Sequence, residues 1–147
     1  MTPKIPVRLS VACITTAVCL IVSLSAVFAG GPPDPEDITG VEWQWQQSLY
    51  SNDQKAVPTD RTHYTITFKP DGTLNVRADC NRAGGTYTAK DQSISIQVTH
   101  STMAMCPPDS LDAKFLKDLA AATIYFFREG DLYLDLKYDS GTMKFSP

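Results

Sequence analysis

The chain has 147 residues, with 13 lysines and arginines against 16 aspartates and glutamates, so its formal net charge is −3. This length supports one domain, and the apolar share of 43% is ordinary for a globular protein. A mildly acidic domain does not attract nucleic acid through its net charge. The nearest approach to a basic patch, Arg77 and Arg82, is interrupted by Asp79, so we expect no nucleic acid among the partners.

The N-terminal segment has the layout of a secretory signal peptide. Lys4 and Arg8 precede a mostly apolar, uncharged stretch over residues 9–29. Val27 and Ala29 are permitted residues at the two positions that a signal peptidase reads. We therefore predict a signal peptide over residues 1–29, cleaved after Ala29, and a periplasmic or secreted mature protein.

Two other interpretations of this segment stay open, and both would leave the domain membrane-anchored. The stretch is long enough, at about 20 residues, to span a bilayer uncleaved, although several serines and threonines dilute it. Cys19, which follows Thr16-Ala17-Val18, would instead be the acylated residue of a lipoprotein. The apolar run continues well past Cys19, which disfavours the lipoprotein.

The four cysteines divide between the predicted signal and the domain. Cys13 and Cys19 leave with the signal, whereas Cys80 and Cys106 remain. A pair of cysteines in an exported protein predicts a disulfide, because the compartment is oxidising. Such a disulfide would stabilise the domain by about 3 to 3.5 kcal/mol in the chain-entropy model.

Free thiols and thiol chemistry are the alternatives to a disulfide. A nucleophilic Cys80 would need a base, and the chain offers only His63 and His100. A metal site built from both cysteines and both histidines would lack the short ligand spacings that such sites have. We therefore predict no catalytic, metal-binding or cofactor-binding residue, and a protein that is not an enzyme.

Residues 30–37, Gly-Gly-Pro-Pro-Asp-Pro-Glu-Asp, predict an extended, solvated leader, so the domain proper spans residues 38–147. Apolar residues then recur with a period of two, which is typical of half-buried strands. Val41, Trp43 and Trp45 predict a first strand with both tryptophans on one face. Further alternating segments are 64–68, 74–78, 86–90, 94–98, 123–128, 132–136 and 143–145.

The segment around Cys80 follows one of these predicted strands. The alternation of Leu74, Val76 and Ala78 carries Cys80 onto the same apolar face and predicts a buried sulfur. Residues 81–85 contain paired glycines and predict a turn or a bulge.

A single helix is predicted over about residues 109–122, after Pro107-Pro108. Its apolar stripe would pack on the sheet, while Lys114, Lys117 and Asp118 occupy other faces. About eight short strands with one helix predict a mainly β domain, either a small antiparallel barrel or a strongly curved sheet. The stripe consists of Leu111, Phe115, Leu119 and Ala122.

Several spaced motifs resemble the META domain family, which includes the heat-inducible HslJ-type bacterial proteins and DUF306-like sequences. The resemblance covers residues 38–147 and implies a lipocalin-like antiparallel barrel with one helix. It also implies an exported or membrane-attached bacterial protein linked to stress, motility, secretion or drug resistance, without an established reaction. The motifs are Ile38-x-Gly40-x-x-Trp43, Phe68-x-x-Asp71-Gly72, Cys80-Asn81-x-x-x-Gly85-x-Tyr87 and Thr102-x-x-x-Cys106-Pro107.

The resemblance marks signature positions to which we assign structural roles. Gly85 would stand where a Cβ would obstruct the backbone, and Asn81 would bond within a turn. In one departure, Asp79 stands where the family usually has glycine before its Cys-Asn pair. The signature positions are Trp43, Cys80, Asn81, Gly85, Tyr87, Thr102 and Cys106.

From these features we expect a non-enzymatic envelope protein that acts as a binding or stress-protective module. Its partner would be an envelope protein or a small apolar ligand. A barrel of about eight strands can hold one ligand, which makes a small-molecule carrier the first alternative. The competing interpretation is that aromatic side chains fill the interior, namely Trp43, Trp45, Phe68, Tyr87 and Phe126.

An inhibitor of an extracellular hydrolase is a further alternative, because small disulfide-bonded exported barrels can present a loop to an enzyme cleft. The candidate loops are residues 52–60 and 81–84.

Overall fold

The computed structural model describes residues 37–147. The predicted signal peptide and almost all of the predicted leader lie outside the described residues, so both stay predictions. The described elements are β1 (Glu42–Tyr50), β2 (Lys55–Ala56), β3 (Tyr64–Phe68), β4 (Thr73–Ala78), β5 (Asn81–Lys90), β6 (Ser93–Ser101), α1 (Asp112–Leu119), β7 (Ala122–Arg128), β8 (Asp131–Leu136) and β9 (Gly141–Ser146), with 3-10 turns at Arg61–His63 and Lys137–Asp139.

Eight of these strands close into an antiparallel barrel. Strand β1 is followed around the barrel by β3 to β9 in chain order, and β9 pairs back with β1. The short strand β2 is additional, and it pairs with the second half of β1, where Ser48 lies opposite Ala56. The predicted small antiparallel barrel with one helix is confirmed.

Side chains fill the interior of the barrel. Trp43 and Trp45 both point inwards, as the alternation in β1 predicted. The Trp45 ring stacks on Phe115 of α1 with 5.0 Å between centroids, and it meets the edge of Tyr64 at 5.5 Å. Each such fully buried side chain contributes about 1.5–3 kcal/mol through the hydrophobic effect. Others with no exposed surface are Ile66, Phe68, Leu119, Leu132, Leu134, Met143 and Phe145.

Helix α1 is shorter than the predicted span of about 109–122. It ends at Leu119, because the Ala121 N–H bonds to the Asp118 carbonyl and the Ala121 carbonyl accepts from Lys137 at 2.8 Å, which turns the chain into β7. Phe115 and Leu119 are buried, as predicted. Asp118, which was predicted to lie off the apolar stripe, is also buried. None of the helices within residues 37–147 is long and apolar enough to cross a membrane.

Residues 81–85, predicted to form a turn or a bulge, contain a bulge, and the turn that precedes β5 lies earlier. Strand β5 begins at Asn81, and the chain reverses at Asp79, whose φ of 56° is left-handed. This conformation interrupts the alternation of β4, so Cys80 is exposed and the prediction of a buried sulfur is wrong. The bulge lies within β5, between Gly84 and Gly85.

The seam between β6 and β7 is the least extensively paired part of the barrel. Strand β6 pairs with β5 from Ser93 to Ser101, but its single registered pair with β7 joins Ser93 to Ile124. In this register β7, which begins at Ala122, has no residue opposite β6 beyond Ser95. The chain between them forms α1, whose Phe115 reaches into the barrel against Trp45.

Candidate functional site

A disulfide joins Cys80, in the turn between β4 and β5, to Cys106, in the loop before α1. The sulfurs are 2.03 Å apart and the two Cα atoms 5.5 Å apart. The predicted pairing is therefore present, although Cys80 is exposed and Cys106 is half-buried. The bond ties the loop between β6 and α1 to the β4–β5 turn.

The buried Asn81 side chain is the centre of the hydrogen bonds around this disulfide. Its Oδ1 accepts from the Thr102 hydroxyl at 2.9 Å and from the Ala104 N–H at 2.8 Å. Its Nδ2 donates to the Ala104 carbonyl at 3.2 Å, to Asp112 Oδ2 at 2.9 Å and to Cys106 Sγ at 3.3 Å. The amide therefore has a partner for its oxygen and its nitrogen without any ligand.

Thr102 extends the pairing of β5 with the chain after β6. Its N–H donates to the Arg82 carbonyl at 2.8 Å, and its hydroxyl accepts from the Arg82 N–H at 2.9 Å. Four signature positions, Cys80, Asn81, Thr102 and Cys106, thus come together in one cluster. We call these four residues the Asn81 cluster, and they fix the course of the loop that follows β6.

The other signature positions lie outside the Asn81 cluster. The Tyr87 hydroxyl donates to the Lys69 carbonyl at 2.8 Å, while its ring lies 4.8 Å from Phe68 between centroids. The Trp43 indole donates to the Ile38 carbonyl at 2.9 Å. Each of these side chains packs its ring in the barrel core and has its polar group hydrogen-bonded.

Gly85 is required by the close approach of β5 to β6. A Cβ on Gly85 would lie 1.9 Å from the carbonyl oxygen of Gln97, so any side chain would push the two strands apart. A Cβ on Gly84 would lie 2.7 Å from the His100 ring. The paired glycines therefore serve strand packing, and they lie at the bulge that was one of the two alternatives predicted for residues 81–85.

The histidines occupy structural positions. His63 Nδ1 lies 3.2 Å from Asp79 Oδ1, and its Nε2 lies 3.7 Å from Asp60 Oδ2. His100 lies over Gly84, with its Nδ1 3.1 Å from the Thr99 hydroxyl. The part of the chain that the structure describes contains no group of three His, Cys, Asp or Glu side chains that could hold a metal ion.

An open groove of about 530 Å³ lies beside the Asn81 cluster, between the end of β6 and helix α1. Val98 and Leu116 supply apolar surface from the two sides, and Asn81 and Asp112 supply polar surface at one end. The loop at its border carries Met103 and Met105, which are 96% and 99% exposed. Sequence reasoning missed this groove, for which the only signal is the pair of methionines, Met103 and Met105, between β6 and α1.

A second polar network fixes α1 to β1 on another part of the surface. The Tyr50 hydroxyl donates to Asp118 Oδ2, and the Ser48 hydroxyl donates to the same atom at 3.3 Å. The Trp45 indole donates to Ser48 Oγ at 3.2 Å, and the Lys114 ammonium lies 4.0 Å from the centre of the Tyr50 ring. Burial and the hydrogen bond to Asp118 raise the pKa of Tyr50 well above its usual value. This network could not be predicted from the sequence, because a single aspartate on a helix is ordinarily solvated.

These features define a small antiparallel β-barrel domain with a surface disulfide. A model of the META domain matches residues 36–147, so the chain belongs to the META domain family. No curated protein matches the chain.

Two solved structures share the fold. A DUF4847 family protein from Bacteroides vulgatus is 18% identical with a TM-score of 0.54, and the match covers 74% of this chain and 93% of that one. A protein from Burkholderia xenovorans, determined by NMR, is 22% identical with a TM-score of 0.57, over 80% of this chain and 92% of that one. At these identities the likeness concerns the fold alone. The disulfide fits a protein of an oxidising, extracellular or periplasmic compartment.

Proposed function

We propose that this META-domain protein is exported and acts as a non-enzymatic binding module of the cell envelope, with the groove between β6 and α1 as its binding face. The observation that carries this proposal is the orientation of the Asn81 cluster. The side chains of Asn81 and Thr102 bond to each other. In the loop that borders the groove, the N–H and the carbonyl of Ala104 both bond to the Asn81 side chain. A surface held in place before binding loses little conformational entropy when a partner arrives.

The exposed methionines support a partner at this groove. Met103 and Met105 present almost their whole surface to solvent on a loop held by the disulfide and by Asn81. Flexible thioether side chains are common on surfaces that bind proteins, because they adapt their shape to the partner. We infer that the partner is an envelope protein, and that a stress-protective role would follow from holding such a protein.

The absence of catalysis is part of this proposal. The disulfide consumes both thiols of the domain, so neither cysteine is available as a nucleophile. Each ring nitrogen of His63 faces a carboxylate, which leaves this side chain engaged in structural contacts.

The two alternatives receive less support. Trp45 and Phe68 fill the interior with no exposed surface, which disfavours a carrier with a ligand inside the barrel.

In β7, Tyr125 and Phe127 pack against the core, whereas Phe126 stacks on Tyr133, so the expectation that Phe126 fills the interior is wrong. The bulge that shifts the register of β7 between Ala122 and Ile124 lies just before these residues.

The structure also changes which segments could act as the loop of a hydrolase inhibitor. Residues 81–84 belong to strand β5, where Asn81, Ala83 and Gly84 are buried, so this segment cannot enter an enzyme cleft as a loop. Residues 52–60 are mostly exposed and stay a candidate for that role.

Photo-crosslinking in the native envelope tests the proposed function. We would replace Met103, which lines the groove, with the photoreactive residue p-benzoylphenylalanine and compare it with the same replacement of Tyr138, which is 91% exposed and does not line the groove. A defined product from position 103 and none from position 138, with and without envelope stress, is the expected result. The proposal is wrong if both positions yield the same products or neither yields any.

A further inference from the structure

We propose that Arg77 and Arg82 form a binding site for a single phosphate group on the outer wall of the barrel. The site is independent of the proposed function, because it shares no lining residue with the groove between β6 and α1.

The two arginines lie directly opposite each other in neighbouring strands. Arg77 of β4 pairs with Arg82 of β5, and on its other side it pairs with Thr65 of β3. These side chains point away from the interior, because Val76 and Ala78, on either side of Arg77, belong to the core. Like charges at directly opposite positions of an antiparallel pair destabilise the sheet. An anion bound between the two guanidinium groups would offset this repulsion.

The acid that separates the arginines in the sequence does not neutralise them. The Asp79 carboxylate lies 3.2 Å from the His63 ring. Within residues 37–147 neither arginine forms a salt bridge with a carboxylate. Two neighbouring positive charges therefore have no acidic partner in the described part of the chain.

The hydrogen bonds of the two guanidinium groups differ. Arg82 Nη1 donates to the Asp79 carbonyl at 3.3 Å and to the Asn81 carbonyl at 3.1 Å, which holds this group against the turn. The Arg77 Nε is buried and has no hydrogen-bond partner among the described residues. A buried donor of a charged group is costly when it stays unpaired. An oxyanion entering the adjoining pocket would bring an acceptor to this guanidinium.

A pocket of about 330 Å³ adjoins both arginines. Thr62, Thr65 and Thr67 line it, and their hydroxyl groups can donate to an oxyanion. Glu42 also lines the pocket, and its carboxylate would repel an anion. Glu42 pairs with Thr67 rather than with Thr65, so it lies two strands and one row away from Arg77. The anionic group of the ligand therefore belongs at the arginine end of the pocket.

The charge of the site favours phosphate. Planar guanidinium groups bind the oxygens of phosphates and carboxylates in bidentate fashion. A phosphate monoester carries a charge of about −1.5 to −2 at pH 7, which matches two guanidinium groups better than the single charge of a carboxylate does. Nucleic acid is bound through many phosphates by widely spread basic residues, whereas this chain has a net charge of −3. We therefore infer one phosphate group, carried by a small molecule or by a lipid headgroup.

Titration of the purified protein with inorganic phosphate tests the site directly. Nuclear magnetic resonance follows the side-chain Nε–H signals of Arg77 and Arg82. We expect both signals to shift in a saturable manner, with half-saturation at about 1 mM phosphate or below. Sodium chloride at the same ionic strength is the control, because screening alone weakens repulsion between charges. Equal shifts in chloride and in phosphate would overturn the proposal.

Matched arginine variants separate the site from general charge effects. Arg77→Gln should weaken phosphate binding at least about tenfold, whereas Arg128→Gln, at an exposed residue outside the pocket, should leave it within about twofold. Arg77→Lys keeps the charge but loses the planar fork, so its affinity should lie between those of Arg77→Gln and the parent. Circular dichroism verifies folding, and Arg77→Lys decides the question if Arg77→Gln does not fold. Binding by the folded Arg77 variants that equals that of the parent would refute the site.

Phosphatidylcholine vesicles with and without phosphatidic acid distinguish the two sources of the phosphate group. Co-sedimentation that requires phosphatidic acid, is lost in Arg77→Gln and is retained in Arg128→Gln would assign the site to a lipid headgroup. Saturable binding of inorganic phosphate without co-sedimentation would assign it to a small phosphorylated molecule. Binding of neither probe would refute the phosphate site and leave an envelope crosslink at position 103 unaffected.

Discussion

His63 holds Asp79 through both its main chain and its side chain. The His63 carbonyl accepts from the Asp79 N–H at 2.7 Å, and the His63 ring lies 3.2 Å from the Asp79 carboxylate. These contacts stabilise a residue whose φ of 56° is left-handed, a conformation that costs a residue with a Cβ about 1–2 kcal/mol. The glycine that the META family usually has at this position meets the same requirement without a Cβ, so Asp79 retains the turn by adding contacts.

The first prediction separates backbone conformation from side-chain contacts at this turn. Asp79→Ala keeps a Cβ at positive φ and loses the side-chain contact with His63, so we expect it to lower the free energy of unfolding by about 1–3 kcal/mol. Asp79→Gly loses the same contact but relieves the backbone, and should cost about 1 kcal/mol less than the alanine variant. Urea unfolding measures both, and equal losses would refute the role of the left-handed backbone.

The second prediction concerns acid stability. The Ser110 hydroxyl, and after it the His63 ring, hold the pKa of the Asp79 carboxyl below its usual value. A depressed carboxyl pKa contributes stability that is complete above the unfolded value, about 3.9, and is lost as the pH falls through the lower folded value. Asp79→Asn should therefore lose less stability than the parent protein between about pH 5 and pH 2. Parallel curves of unfolding midpoint against pH for the two proteins would contradict this assignment.

The third prediction tests Asn81 as the centre of its cluster. Asn81→Asp replaces the amide nitrogen, which donates to the Ala104 carbonyl and to Asp112, with an oxygen that cannot donate. We expect a loss of about 2–4 kcal/mol in unfolding free energy and faster hydrogen exchange over residues 102–106. Asn75→Asp, on an exposed position of β4, is the matched control and should change neither quantity. Similar effects of the two substitutions would remove Asn81 from this role.

The fourth prediction concerns the disulfide. Replacing both Cys80 and Cys106 with serine removes the covalent link between the β4–β5 turn and the loop that precedes α1. The unfolding free energy should fall by about 3 kcal/mol while the far-ultraviolet spectrum keeps its β character, since the barrel core does not contain either sulfur. Proteolysis of the folded variant should begin near Met103 and Met105. A variant as resistant to proteolysis there as the parent would show that the Asn81 contacts hold the loop alone.

The fifth prediction addresses the network between α1 and β1. Tyr50→Phe removes the hydroxyl that donates to the buried Asp118, so we expect a loss of about 1–3 kcal/mol, whereas Tyr138→Phe should have no effect at a side chain 91% exposed. The raised pKa of Tyr50 has a further consequence at high pH. A phenol that stays protonated in the folded state loses its contribution as the pH rises past the unfolded value of about 10, so Tyr50→Phe should flatten the alkaline decline in stability. An unchanged decline in the variant would assign it to other groups.

The sequence by itself determined the elements that depend on local periodicity. The alternation through Trp43 and Trp45 predicted their common inward face, and it did so because neighbouring side chains in a strand point to opposite sides whatever lies around them. The pairing of Cys80 with Cys106 could also be predicted from the sequence, because the predicted signal peptide leaves only these two cysteines and an exported protein is in an oxidising compartment.

Tertiary structure alone decided the features that depend on distant segments. The left-handed turn at Asp79 exposes Cys80, and His63, 16 positions earlier, contacts Asp79 through both its carbonyl and its ring. The burial of Asp118 depends on Tyr50, 68 positions away. The pairing between β6 and β7 is short because β7 begins at Ala122, and a strand's own residues do not encode how far its neighbour extends beside it.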